Sequence, residues 1–387
     1  MTDQFTRRGF LGKAGLLGCS LAASPLLTPV TLASAPWDTR LIVIILRGGM
    51  DGLDVVRPTG DPAYAALRPG LSASERGPDL DGYFTLHPAL ATLMPLWRRQ
   101  QLGFVHAVST PYRNKRSHFD GQDMLEAGTE RLSGGVRDGW LNRMLQEVPD
   151  IRADTAFAIG NNDLRLLNGD APVANWTPDA NLKLSAQTQR LAELVMEEDP
   201  EMHAALAEAE MLSAEGPNKT GGQSHMKVAR FVASRLRGSA RVAAFSLNGW
   251  DTHRSQERVL SRSLERLAQT ISTLKSDLGE QVWGKTALIA MTEFGRTARE
   301  NGTGGTDHGT GGLMLMAGGA VRGGQVHGRW PGVGAGALYQ ERDLMPTQDV
   351  RAPAAWIMRG LTGLDRSVFE RRIFPGLDMG NDPNLLP

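Results

Sequence analysis

Leu41-Ile42-Val43-Ile44-Ile45-Leu46 is a continuous apolar run dominated by β-branched residues. A strand with one wet face alternates polar and apolar side chains. An unbroken run of this length predicts a strand buried on both faces, at the centre of a parallel sheet. It ends in Arg47-Gly48-Gly49-Met50-Asp51-Gly52-Leu53-Asp54, a glycine-rich loop carrying two acids. Similar runs recur at 102–108, 155–159, 241–247, 286–291 and 312–317. Helical patterns lie between them. The clearest sets Leu260, Leu264, Leu267, Ile271, Leu274 and Leu278 on one apolar stripe. Residues 185–214, rich in Ala, Glu and Leu, read as another helix. This alternation predicts an α/β fold: a doubly wound, mostly parallel sheet with helices on both faces.

The first 35 residues read as an address. Arg7-Arg8 precedes an uncharged, weakly apolar stretch broken by Gly15, Gly18, Pro25 and Pro29, and Ala33-Ser34-Ala35 offers a small-x-small cleavage site. The paired arginines resemble a twin-arginine export signal, which makes the twin-arginine translocase a partner during export and the periplasm the expected location. A membrane anchor is the competing reading, disfavoured by the prolines, the low hydropathy and the cleavage site; Cys19 leaves a lipoprotein reading open. After cleavage, residues 36–387 are expected to form a single domain with no stable transmembrane segment.

Composition then excludes several functions. The whole chain balances 42 basic against 42 acidic residues. Without residues 1–35 the balance becomes slightly acidic, so nucleic acid is not an expected partner. Its one cysteine falls within the leader, which excludes disulfides, thiolate zinc sites, covalent c-type haem and Cys-held clusters from the remainder. A His/carboxylate metal site, or no cofactor, remains. Glycine is unevenly spread: 14 of 45 lie between Gly302 and Gly336, as in irregular backbone wrapped close to a ligand or another segment. The segment 213–223 is the best hinge candidate, and 160–185 reads as an excursion over the surface.

In open α/β sheets, ligands sit outside the carboxyl ends of the strands. Asp51 and Asp54 follow the first strand. Arg113, Lys115, Arg116, Ser117, His118 and Asp120 follow the second, Asp251 and His253 the fourth, and Glu293, Arg296, Asp307 and His308 the fifth. Three histidines beside acids at strand ends point to a divalent metal: zinc, manganese or iron for mixed ligands, calcium or magnesium where oxygen dominates. Each piece also has a structural reading. Asp51 and Asp54 suit a turn or helix cap, Ser117 a cap with Asp120 three residues on, and Glu293 with Arg296 an ion pair. His203 and His225 read as surface residues. No G-x-S-x-G nucleophile elbow occurs, and no convincing dinucleotide loop supports a redox protein.

The motifs LRGGMDGL at 46–53, SHFD at 117–120, GWDTH at 249–253, TEFGRT at 292–297 and GTDHG at 305–309, with GGQVHGRWPG at 323–332 and the tail FPG at 374–376, resemble domain-of-unknown-function family 1501. That family is similar to the alkaline phosphatase/sulfatase superfamily. The resemblance implies an exported metal-dependent hydrolase of phosphate or sulfate esters, acting on an anionic small molecule. Asp51, Asp251, His253 and His308 would hold the metal, and Asp307 and Glu293 would ligate or support it. Ser117 would be nucleophile, and Arg296 or Arg116 would bind the anion. The sequence departs from the superfamily at Glu293-Phe294, where an Asp-His or Asp-Asn pair is usual. One ligand is therefore lost or displaced: either Asp307-His308 supplies it from the following loop, or the site holds one metal, or none. A non-catalytic envelope module retaining the fold is the alternative that this departure leaves open.

Overall fold

The Leu41–Leu46 run lies within β1 (Arg40–Arg47), which pairs in parallel with a strand on each side. In this computed structural model, residues 37–73, 76–131, 138–149, 151, 155–159, 164–176 and 224–387 are described. The expected leader at 1–35, the helix at 185–214, the hinge at 213–223 and His203 lie outside the described residues.

The further strands are β2 (Val56–Arg57), β3 (Thr85–Leu86), β4 (Leu102–Ser109), β5 (Ala156–Ile159), β6 (Ala174–Trp176), β7 (Val242–Asn248), β8 (Thr286–Met291), β9 (Gly312–Ala317), β10 (Val326–His327) and β11 (Gln348–Asp349). Nine of the eleven strands make one sheet in the order β10-β4-β9-β8-β1-β7-β5-β6, with β11 also on β4; β2 and β3 form a separate antiparallel pair. Every pairing in the large sheet is parallel except those of β9, which runs antiparallel to both β4 and β8. The fold is α/β with a mostly parallel sheet. Residues 160–185, read from sequence as a surface excursion, contribute β6, the edge strand beside β5.

Period-two alternation sends the two faces of β1 into different cores. Ile42, Ile44 and Leu46 pack in one cluster with α3 (Ser224–Arg237) and α4 (Gln256–Trp283). Leu41, Val43 and Ile45 pack in the other, with α2 (Trp140–Gln146) and α5 (Arg351–Thr362). The stripe from Leu260 to Leu278 is buried along its whole length on α4, which is why that helix lies on the sheet. His225 corrects its reading as a surface residue: it is buried on α3, where its Nε2 lies 2.8 Å from Gln269 Oε1 of α4.

Because β9 is antiparallel, its first residue lies at the sheet edge where the parallel strands end. The loop 292–311 that joins β8 to β9 therefore lies at the same edge as the loops that follow β1 and β7. The helix α1 (His118–Ala127), after β4, completes the ring of segments at that edge.

Two buried histidines are held neutral. Burial pushes the pKa values of His87 and His106 down to about 4. The His106 ring is fixed as one tautomer: Ala107 N donates to its Nδ1 at 2.9 Å, and Nε2–H donates to Val56 O at 3.1 Å. An unfolded histidine titrates near 6.5. The unfolded chain thus binds more protons between pH 6.5 and 4, and stability falls as pH drops through that window. We expect the unfolding free energy from urea titration to fall on acidification from pH 7 to 4, by up to about 3 kcal/mol per histidine. His106→Gln should remove part of that slope; an unchanged slope would show that His106 is already charged in the folded protein.

Candidate metal centre

The site is built on two close backbone approaches. Gly48, at the end of β1, has φ +126°, and a Cβ there would come within 2.5 Å of Asp251 N. At Gly305 a Cβ would come within 2.4 Å of Thr252 O. The 48–49, 250–253 and 305–308 segments are thus pressed together in a way that only glycine permits.

Arg296 joins them. Its guanidinium is buried, and Nε donates to Gly49 O at 2.6 Å. Nη1 donates to Thr306 O at 3.2 Å, and Nη2 to Gly48 O, to Trp250 O at 3.1 Å and to Asp251 Oδ1 at 2.6 Å. The expectation that Arg296 binds an anion meets a physical obstacle: its N–H groups are directed into the protein and shielded from solvent. It holds loops and orients Asp251.

Above this hub, three imidazoles converge on Asp251. His118 Nε2 lies 3.4 Å from Asp251 Oδ2, His253 Nε2 3.1 Å from Oδ1, and His308 Nε2 3.4 Å from Oδ1. One atom from each of His118, Asp251 and His308 falls within 4.8 Å of the others. His253 Nε2 joins them at 2.9 Å from His308 Nε2.

Each ring is held from behind through Nδ1. His118 Nδ1 faces Glu293 Oε1 at 2.7 Å, His253 Nδ1 faces Asp307 Oδ1 at 3.2 Å, and His308 Nδ1 faces Arg116 O at 2.9 Å. Burial works against the charge on Glu293 and Asp307. Hydrogen bonds from His118 and Gln122 to Glu293, and from Asn301 and His253 to Asp307, outweigh it, and both pKa values are lowered. Ionised carboxylates and a carbonyl can only accept, so all three Nδ1 atoms carry the proton. In the neutral ring Nε2 is then a bare lone pair. The His118 pKa is raised, chiefly by its hydrogen bond to Glu293, and that of His308 is lowered, chiefly by burial.

Two lone pairs 2.9 Å apart, beside a carboxylate, repel unless a proton or a metal ion lies between them. His118 Nε2 is a buried atom with no hydrogen-bond partner. Nitrogens sharing one tetrahedral zinc at 2.0–2.1 Å stand about 3.3 Å apart, within a few tenths of an ångström of the His253–His308 separation. Outer nitrogens pinned by carboxylate or carbonyl are the usual support of metal-ligating histidines. The donor set fits a divalent ion.

The sequence expectations divide accordingly. Asp251, His253 and His308 meet, joined by His118, which the sequence marks by its place in Ser117-His118-Phe119-Asp120. Glu293 and Asp307 stand behind histidines. Phe294, which displaces the acid-flanking residue expected there, packs its ring 5.1 Å from both His118 and His308. Arg116 contributes its carbonyl from a left-handed conformation at φ +55°. Ser117 caps α1: its Oγ accepts from Asp120 N at 3.4 Å. Asp51 is not part of the cluster. It is fully buried, caps the turn at Gly52–Val55 and pairs with Arg68 at 2.8 Å. Gln256 carries no motif signal, and Thr252 and Thr306, though they lie within GWDTH and GTDHG, were given no role of their own.

Replacing Arg296 by Leu would strand four carbonyls and release Asp251. We expect a loss of about 3 kcal/mol or more in chemical denaturation; a loss below about 1 kcal/mol would mean that the loops hold together without it.

A family profile described as "Protein of unknown function (DUF1501)" matches residues 107–352, and the chain belongs to this family. No curated protein matches the chain at a significant level. Three solved structures with an overall likeness are a protein in the alkaline phosphatase superfamily from Vibrio parahaemolyticus (13% identity, 97% of this chain and 80% of that one, TM-score 0.41), the lipoteichoic acid synthase LtaP from Listeria monocytogenes (9%, 90% and 80%, 0.39) and the C-terminal periplasmic domain of EptC from Escherichia coli (10%, 90% and 91%, 0.39).

Proposed function

We propose that this member of the family is an exported, metal-dependent hydrolase of phosphate or sulfate esters. The observation that carries the reading is the convergence of three Nδ1-pinned imidazoles and one carboxylate, with His118 Nε2 left without a partner. Asp251, His253, His308 and His118 would hold the ion, with zinc or manganese favoured over calcium or magnesium by the nitrogen-rich set. A bound divalent ion supplies Lewis acidity, polarising a phosphoryl or sulfuryl oxygen and lowering the pKa of a hydroxyl or water.

The rest falls to the chain's own groups. Asp251 keeps a 46% exposed carboxylate and His253 a 40% exposed ring, so one side of the cluster opens to solvent and to substrate. Glu293 and Asp307 hold the imidazoles in the tautomer that ligates. Ser117, one residue before His118, is the nucleophile in this reading. Its cap bond of 3.4 Å is longer than an ordinary hydrogen bond, so the oxygen is lightly held and free to turn. Lys115 and Arg116, both exposed on the approach to α1, suit attraction of an anionic ester. Export rests on the twin arginines and the cleavage pattern of residues 1–35. No helix among the described residues is long and apolar enough to cross a membrane.

A second reading, a non-catalytic metal-binding module of the envelope, is favoured by the capping role of the Ser117 hydroxyl. The two separate in one experiment. The purified protein is expected to hold stoichiometric metal by elemental analysis and to turn over aryl phosphate or sulfate esters. Asp251→Ala should lose the metal, and Ser117→Ala should keep it while slowing turnover by more than about 100-fold. Metal without turnover across an ester screen would select the module; absence of metal would overturn both.

A further inference from the structure

Beneath the cluster lies a buried polar network that the proposed chemistry does not use. Gln256 opens α4 and is fully buried, an unusual place for a carboxamide. Its Nε2 donates to Asp51 Oδ2 at 2.6 Å and to Asp54 Oδ2 at 2.9 Å. Its Oε1 accepts from Thr252 Oγ1 at 2.9 Å and from Thr306 Oγ1 at 2.7 Å. Both amide protons and both lone pairs are used, so the orientation is determined. A flipped amide would set oxygen against two carboxylates. Those carboxylates are anchored in turn, Asp51 by Arg68 and Asp54 by Arg57, each at 2.8 Å.

The partners of Oε1 occupy particular positions. Thr252 sits between Asp251 and His253, and Thr306 precedes Asp307 and His308. The two backbones also meet directly, Thr306 N donating to Thr252 O at 3.1 Å, and Gln256 N reaches Gly304 O at 2.8 Å. One carbonyl oxygen therefore ties together the two segments that carry His253 and His308. The 2.9 Å between their Nε2 atoms depends on how those segments are spaced.

We infer that Gln256 is a positioning residue for the cluster: its side-chain amide, braced by Asp51 and Asp54, sets the separation of the 251–253 and 306–308 segments and with it the geometry of the ion they hold. This rests on the reading of the cluster as a divalent-metal site. It also gives Asp51 a task, that of orienting the amide that spaces the ligands, without contact with the ion.

The test is cobalt(II) titration of the full mature protein, read by competition with a chromophoric chelator and by the visible absorption of the bound ion. Gln256→Met keeps the length of the side chain and removes its hydrogen bonds. It should weaken cobalt binding by about 10- to 100-fold and shift the absorption bands, with far-UV circular dichroism unchanged. Thr306→Val should move both readouts in the same direction, Thr306→Ser should restore them, and adding Thr306→Val to Gln256→Met should cost little more, because one link has already been cut. Wild-type affinity and bands in a folded Gln256→Met protein would overturn the inference. If that variant does not fold, the same result in Thr306→Val would overturn it. A wild-type protein that binds no cobalt, or an Asp251→Ala protein that binds it equally well, would overturn the metal reading itself, an outcome distinct from intact wild-type binding that ignores Gln256.

Discussion

Arg296 is the point at which this sheet edge becomes a site. The loops leaving β1 and β7 and the loop joining β8 to β9 bring backbone carbonyls to one buried place, where they have no strand partner. A single guanidinium, with N–H groups in a rigid fork, answers the carbonyls of Gly48, Gly49, Trp250 and Thr306 and the carboxylate of Asp251. A lysine ammonium could not span so many acceptors in one plane. The close approaches at Gly48 and Gly305 make that convergence sterically possible.

Above that hub, the surroundings fix the outer proton of each imidazole, while burial works against charge on His308 and the Glu293 hydrogen bond favours it on His118. Glu293, Asp307 and the Arg116 carbonyl each take the outer proton of one imidazole, which leaves the Nε2 lone pairs directed at Asp251. Below it, charge is balanced inside the protein: Asp51 and Asp54 face Arg68 and Arg57 in a region closed to solvent, where removing either partner would leave an uncompensated charge. The cluster is thus layered, with ligands open to solvent at Asp251 and His253 above, oriented supports around them and a fully satisfied polar network underneath. The layering explains how a site made of four loops keeps its spacing.

Much of this was legible from the residues. The Leu41–Leu46 run required a strand buried on both faces, and the Leu260–Leu278 stripe required a helix laid against it, because each pattern has only one arrangement that removes its apolar groups from water. Asp251, His253 and His308 stood out as acids and imidazoles after apolar runs. Arg296 was visible as a candidate but not in its role, and Glu293 only as either ligand or support. An acid that ligates and an acid that orients a ligand are the same residue type at the same strand end, and only the position of His118 Nδ1 separates them. Asp51 illustrates the same limit, since a carboxylate after the first strand reads equally well as ligand, cap or ion-pair partner, and here Arg68 decides. Gln256 was silent because a glutamine at a helix start breaks no pattern.

The sequence by itself determined the central strands and the long helix over Leu260–Leu278, that the sheet would be mostly parallel, and that histidines and acids would gather at its carboxyl edge. Those outcomes follow from local periodicity and from the general placement of loops in α/β sheets. Tertiary structure alone decided that β9 runs antiparallel, which delivers Asp307 and His308 to the same edge from the opposite chain direction. It also decided which atoms face the centre, because that depends on contacts between residues as far apart in the chain as His118 and Glu293 or Asp51 and Gln256. Such distances of a few ångströms are set by packing and by hydrogen bonds that no local pattern records.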